Sequence, residues 1–215
     1  SIINRHDDNQ LAVFSKAVYN NTPYIKEKEL VSGGDENNPV PNKVGGKSPI
    51  KYLFYVIKEN RTYDQVLGDI IEGNGDPSLL LFGENITPNQ HALAREFVLL
   101  DNFYVNGEVS ADGHSWTMGA YATDYLEKNW PTSYGGRGGD YSGEGQRKIA
   151  NNKNGFLWDM CKRNNVTFRT YGEFISGKKA SIPVLENHFC RSFSEWDESI
   201  RDTVRFRQWK HDFES

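Results

Sequence analysis

Two short stretches hold the side chains that can do chemistry. The first is Glu59-Asn60-Arg61, which sets a carboxylate, a carboxamide and a guanidinium directly after the apolar run Tyr52-Leu53-Phe54-Tyr55-Val56-Ile57. The second is Ser110-Ala111-Asp112-Gly113-His114-Ser115-Trp116-Thr117, where hydroxyls, a carboxylate and an imidazole stand among small residues. A carboxylate and an amide at the carboxyl end of a strand can ligate a cation or take part in a reaction, because ligands of open α/β sheets settle in that crevice. A hydroxyl at the amino terminus of a helix can attack phosphorus while free backbone N–H groups and the helix dipole hold the phosphate oxygens. Plainer readings stand beside these. Arg61 and Glu59 can form a salt bridge with Asn60 in a turn, and Ser110 and Asp112 can be ordinary helix caps.

The elements that would position these residues follow from the apolar pattern. The run from Tyr52 to Ile57 lies between Lys51 and Lys58, and its aromatic and β-branched content suits a strand buried on both faces. Thr62 with Gln65 is a capping-box signature for a helix directly after it. Thr87 and Pro88 start a second helix, which runs into Phe97-Val98-Leu99-Leu100, a second buried strand. A helix is predicted from about Ser115 to Tyr125, and another on the face marked by Phe156, Leu157, Met160 and Cys161. A third strand is predicted over Val166 to Tyr171, and Ile200, Val204, Trp209 and Phe213 recur at near-helical spacing. Residues 1–49 are polar and irregular, with a short helix around Leu11 to Val18 and a Gly/Asn/Pro loop from Ser32 to Pro41. The Gly-rich segment from Ser133 to Gly145 reads as a loop able to cover a site, with Arg137 as a phosphate contact. His91, in the first turn of its helix, reads as a surface or packing residue.

Composition removes several function classes. The chain has 215 residues and a formal net charge of −4, with both signs interspersed, so nothing marks a nucleic-acid or anionic-membrane binder. No stretch approaches the roughly 18 apolar residues of a membrane span. Two cysteines, Cys161 and Cys190, give no metal-type spacing; they can form one bridge or remain two buried thiols.

The segment Glu59-Asn60-Arg61-Thr62-Tyr63-Asp64-Gln65-Val66-Leu67-Gly68 resembles the opening motif, of the ENRSFDHYFG type, of a bacterial phosphoesterase family. That family includes phosphatidylcholine-type phospholipases C and certain acid phosphatases, within the alkaline-phosphatase-like superfamily. His91 to Tyr104 is similar to the family's second block, and Asn154 to Glu173, ending in Tyr-Gly-Glu, to its third. The blocks occur in order between Ile50 and Glu173. Where the family pattern is Gly-Pro-Thr-Asp-Pro, this chain has Val109-Ser110-Ala111-Asp112-Gly113, which leaves the register of the nucleophile open by a residue or two.

The resemblance implies a metal-dependent phosphoesterase acting on phosphomonoesters or phosphodiesters. It assigns the nucleophile to Ser110, with Ser115 or Thr117 in reserve. Glu59, Asn60 and Ser110 would hold a divalent cation, which would be Zn, Ca, Mn or Mg. Asn60 and His114 would contact the phosphate. It also implies an α/β, alkaline-phosphatase-like fold, a mostly parallel sheet flanked by helices. The family's later metal ligands have no counterpart here, so residues 50–215 are expected to be the amino-terminal part of a phosphoesterase domain, active only to the extent that these ligands suffice. Residues 1–49 would be a lead-in or linker, in some relatives from a β-propeller. A periplasmic or secreted location belongs to the same resemblance. The alternative is a catalytically inactive binding or structural module derived from that fold.

Overall fold

A computed structural model describes residues 6–22, 34–35, 37–139 and 141–215. Ser32, Gly33, Glu36 and Asp140 of the predicted loops therefore lie outside the described residues. The chain divides into two compact units, Ser1–Lys58 and Glu59–Ser215.

In the first unit, α1 spans Asp8–Asn21, longer at both ends than predicted. Asp7 explains its start: the carboxylate accepts from Gln10 N–H at 2.9 Å, and the Gln10 side chain accepts from Asp7 N–H at 3.2 Å. None of its residues is buried.

The second unit is built mostly from helices: α2 (Tyr63–Leu67), α3 (Pro88–Glu96), α4 (Ser110–Gly119), α5 (Asp124–Ser133), α6 (Leu157–Arg163) and α7 (Asp202–Glu214). The only sheet among the described residues is a two-stranded antiparallel hairpin, β1 (Ile175–Ser176) with β2 (Lys179–Ala180). Gly177 and Lys178 between them both have positive φ, at 57° and 61°, the turn geometry whose twist matches a hairpin.

The expected α/β, alkaline-phosphatase-like fold with a mostly parallel sheet is therefore overturned. The physical reason lies in the apolar runs themselves. A strand buried on both faces needs ladder partners on both edges and cover above and below. Tyr52 to Ile57 forms no strand ladder, and Tyr52 is 84% exposed. Phe97 to Leu100 likewise forms none, with Val98 63% exposed. The predicted strand from Val166 to Tyr171 reduces to a single parallel bridge, Thr170 to Phe189. Apolar content alone did not make either run a strand.

What is buried lies elsewhere. Phe156, Trp158 and Phe174 form an aromatic cluster with ring centroids 4.8 to 6.4 Å apart, tilted or edge-to-face. A second cluster joins Ala122, Leu126 and Ala150, with Trp116, Tyr125 and Tyr141 packed against it. Gly119 ends α4 where Asn152 closes in: the Asn152 amide donates to Gly119 O at 3.0 Å, and a Cβ at this position would meet that nitrogen at 1.9 Å. These contacts fix the C-terminal end of α4 and so the direction in which its first turn points. Cys161 and Cys190 are free thiols, and no helix is long and apolar enough to cross a membrane among the described residues.

Candidate functional site

Helix α4 begins at Ser110, five residues before the start expected near Ser115. Ser110 is thus the first helical residue, and the residue before it, Val109, has no side chain able to cap the free amides of the first turn. Ser110 and His114 are four residues apart and share one face; Asp112 and Trp116 share another. The two faces have different fates. Asp112 and Ser115 are buried, at 0% and 1% exposure, whereas Ser110 is half-buried. Thr117 is exposed.

Ser110 Oγ has two partners from other parts of the chain. Asn60 Nδ2 donates to it at 3.4 Å, and the Tyr134 hydroxyl lies 3.0 Å away. Asn60 comes from the segment that ends in α2, and Tyr134 directly follows α5, whose last turn its N–H closes on Trp130 O. Neither distance follows from sequence separation.

One turn along, His114 is held between two carboxylates. Its Nδ1 lies 2.9 and 3.0 Å from the two oxygens of Glu173, and its Nε2 lies 3.3 Å from Glu59 Oε2. Hydrogen bonding to Glu173 raises the imidazole to about 9 against the opposing effect of burial, with the Glu144 and Glu59 charges adding to it. At neutral pH both ring nitrogens therefore carry protons and donate. Glu173 reaches this position through a tight turn: Thr170 Oγ1 donates to Glu173 O at 3.1 Å, Gly172 has φ +94°, and the bridge from Thr170 to Phe189 anchors the approach. Glu144 stands near the same group, and burial pushes its carboxyl upward, opposed by His114 and reinforced by Glu173 and Glu59.

On the buried face, the Tyr141 hydroxyl donates to Asp112 Oδ1, and burial raises the Asp112 carboxyl. Asp112 Oδ2 is buried with no hydrogen-bond partner among the described residues. Tyr134 and Tyr141 meet edge-to-face at 5.7 Å. Two neighbouring tyrosines thus hold Ser110 and Asp112 of one helical turn, one on each face.

The structure brings together Glu59, Asn60, Ser110 and His114, and it does not bring Ser115 or Thr117 into this group. Arg61 makes no bridge to Glu59; it donates to Asn60 O at 2.6 Å and lies over the Phe82 ring at 5.2 Å. Arg137, in the loop after α5, donates to Pro131 O of that helix at 2.8 Å. Three participants escaped sequence reasoning. Glu173 was visible only as the end of the third block, whereas Tyr134 and Glu144 lie in the Gly-rich segment, whose composition gives no periodicity to place a side chain.

The residues offer three oxygen donors suited to a hard cation: a carboxylate from Glu59, the carbonyl of the Asn60 amide, and Ser110 Oγ. The Asn60 atom that lies 3.4 Å from Ser110 Oγ is the amide nitrogen and not the carbonyl oxygen. By type alone these groups suit part of the coordination sphere of a divalent cation. Among the described residues there is no group of three or more His, Cys, Asp or Glu side chains that could hold a metal ion by itself. No protein-family model matches the chain, and no curated protein or solved structure matches it significantly.

Proposed function

We propose that Ser110 is the nucleophile of a phosphoesterase site that acts on phosphomonoesters or phosphodiesters, of the kind the opening motif resembles. The observation that carries this reading is the meeting of the Ser110 hydroxyl with the Asn60 amide at 3.4 Å, on the first turn of a helix with no side-chain cap. Uncapped amides and the helix dipole favour a phosphate there. Ser110 Oγ gives its proton to water and attacks phosphorus, an O–P bond forms, and the ester P–O bond breaks, its electron pair leaving on the alcohol oxygen, which takes a proton from water. Water then cleaves the phosphoserine and returns the hydroxyl.

His114 keeps its charge at neutral pH and supplies donors to phosphate oxygens or to Glu59. A divalent cation held by Glu59, Asn60 and Ser110 would, when bound, lower the hydroxyl pKa and neutralise phosphate charge. A periplasmic or secreted setting is part of the same proposal. A second reading, a catalytically silent binding module, draws on the exposed aromatic pair Phe103 and Tyr104, at 71% and 80% exposure.

Hydrolysis of p-nitrophenyl phosphate and of bis(p-nitrophenyl) phosphate tests the choice, with Zn²⁺, Mn²⁺, Mg²⁺ or Ca²⁺ added in turn. Metal-dependent turnover is expected to fall at least about 10³-fold in Ser110→Ala, with the melting temperature preserved. Turnover that survives the substitution would remove Ser110 as nucleophile, and no turnover with any metal would favour the binding module.

A further inference from the structure

We infer that Tyr134 is a further catalytic residue, one that holds the Ser110 oxygen ready for attack; this rests on the reading of Ser110 as the nucleophile. The Ser110 and Tyr134 hydroxyl oxygens are 3.0 Å apart, a full hydrogen bond and a shorter one than the 3.4 Å link to Asn60. Asn60 Nδ2 can only donate, so Ser110 Oγ accepts on that side. When Tyr134 also donates, two N–H or O–H groups converge on one oxygen at the dipole-positive end of α4. That arrangement stabilises an alkoxide more than a hydroxyl, because hydrogen bonds to a full negative charge are about twice as strong as neutral ones.

Placement supports the role. Tyr134 is half-buried, its backbone N–H closes α5 on Trp130 O at 2.9 Å, and its ring packs edge-to-face on Tyr141 at 5.7 Å. Tyr141 is itself tied to buried Asp112, two residues along from Ser110. The ring of Tyr134 is thereby indexed to the same helical turn as the nucleophile. A tyrosine that served only to fill space would need none of this alignment of its hydroxyl.

In the step itself, Ser110 Oγ attacks phosphorus as its proton passes to water, and Asn60 and Tyr134 both donate to the oxygen while that proton leaves. As the O–P bond forms and the ester P–O bond breaks, negative charge moves from Oγ to the phosphoryl oxygens and the leaving oxygen, which takes a proton from water. Tyr134 acts by donating a hydrogen bond to the developing charge.

Tyr134→Phe removes one oxygen and keeps the ring that packs on Tyr141. Two readouts apply to wild type, Tyr134→Phe and Ser110→Ala on the full chain, with folding checked by thermal melting. One is the kcat and KM of bis(p-nitrophenyl) phosphate hydrolysis; the other is the rate at which a fluorophosphonate probe modifies Ser110, located by peptide mass spectrometry. The expected result is a tenfold to hundredfold fall in kcat and in labelling rate, on the order of one donor to a developing oxyanion, with KM and melting temperature unchanged. A Tyr134→Phe protein that matches wild type in both readouts would overturn the inference while leaving Ser110 in place. A wild-type chain that neither turns over nor labels at Ser110 would overturn the reading of the nucleophile, and Tyr134's role with it.

Discussion

Two histidines on two helices make a controlled comparison within one chain. His91 sits in the first turn of α3 and His114 in the second turn of α4, and each is bonded to a carboxylate. His91 is fully buried; its Nδ1 lies 2.8 Å from Thr87 O and its Nε2 2.8 Å from Asp69. Burial opposes its protonation, and the bonds to Asp69 and Thr87 overcome that and raise it. Both ring nitrogens are thus spent within one small lobe. His114 has 17% of its side chain exposed, faces Glu59 on one side and Glu173 on the other, and stands one turn from an accessible hydroxyl. Similar helix positions and similar partners yield a sealed structural link in one lobe and an imidazole beside the Ser110 hydroxyl in the other. The second carboxylate, supplied by a tertiary contact, and Ser110, supplied by the turn of α4 itself, make the difference.

The comparison is sharpest in turnover. His114→Ala is expected to lower phosphoester turnover by about 10²–10³-fold, within the range of charge-assisted and acid–base contributions, whereas His91→Ala leaves turnover per folded molecule unchanged. Equal losses from the two substitutions would collapse the distinction between the lobes.

A pH titration separates the same two sites by stability. The His114 pKa is raised from 6.5 to about 9 in the folded state, so its contribution is fully present below about 6.5 and is lost as pH rises through about 9. The size of that contribution is about 3 kcal/mol. Urea unfolding of wild type and His114→Ala between pH 6 and pH 10 should show the gap between them narrowing over this window. A constant gap would mean that the His114 pKa is the same in the folded and unfolded chain.

His91→Ala is expected to act on stability and not on turnover. It removes the partner of Asp69 from a fully enclosed position, and a loss of about 2 kcal/mol in unfolding free energy is expected at neutral pH. Retention of full stability would show that the α3 lobe does not depend on this link.

The smallest effect is expected outside both lobes. Val56→Ser lies in the apolar run that a buried strand would have required, and Val56 is 77% exposed. Its substitution should change unfolding free energy by no more than about 0.5 kcal/mol, as for surface sites generally. A cost of several kcal/mol would point to burial of this run in solution.

Much of the local structure was legible because it depends on neighbours in sequence. Thr62 and Gln65 mark the start of α2, and the Gln65 side chain accepts from Thr62 N–H at 3.2 Å. Pro88 is the first residue of α3, as its missing N–H allows. The start of α4 was misread by five residues and its end by six, because small residues and Gly113 carry no apolar periodicity to mark them. The strands were misread for a different reason. Apolar content and length describe a segment's preference for burial, but a sheet exists only where edges meet, and Tyr52 to Ile57, Phe97 to Leu100 and Val166 to Tyr171 do not pair with one another.

By itself, the sequence determined the starts of α2 and α3, the absence of a long apolar span and the residue types of the site: a carboxylate and amide at Glu59 and Asn60, a hydroxyl at Ser110 and an imidazole at His114. Only the tertiary structure decided that Ser110 stands on the first turn with Asn60 and Tyr134 upon it, that Glu173 completes the grip on His114, and that Arg61 turns away from Glu59. The physical reason is that hydrogen bonds and ion pairs are short-ranged and directional. Composition supplies the groups, but an alignment within about 3 Å across distant segments is set by the packing that fixes the direction of each helix.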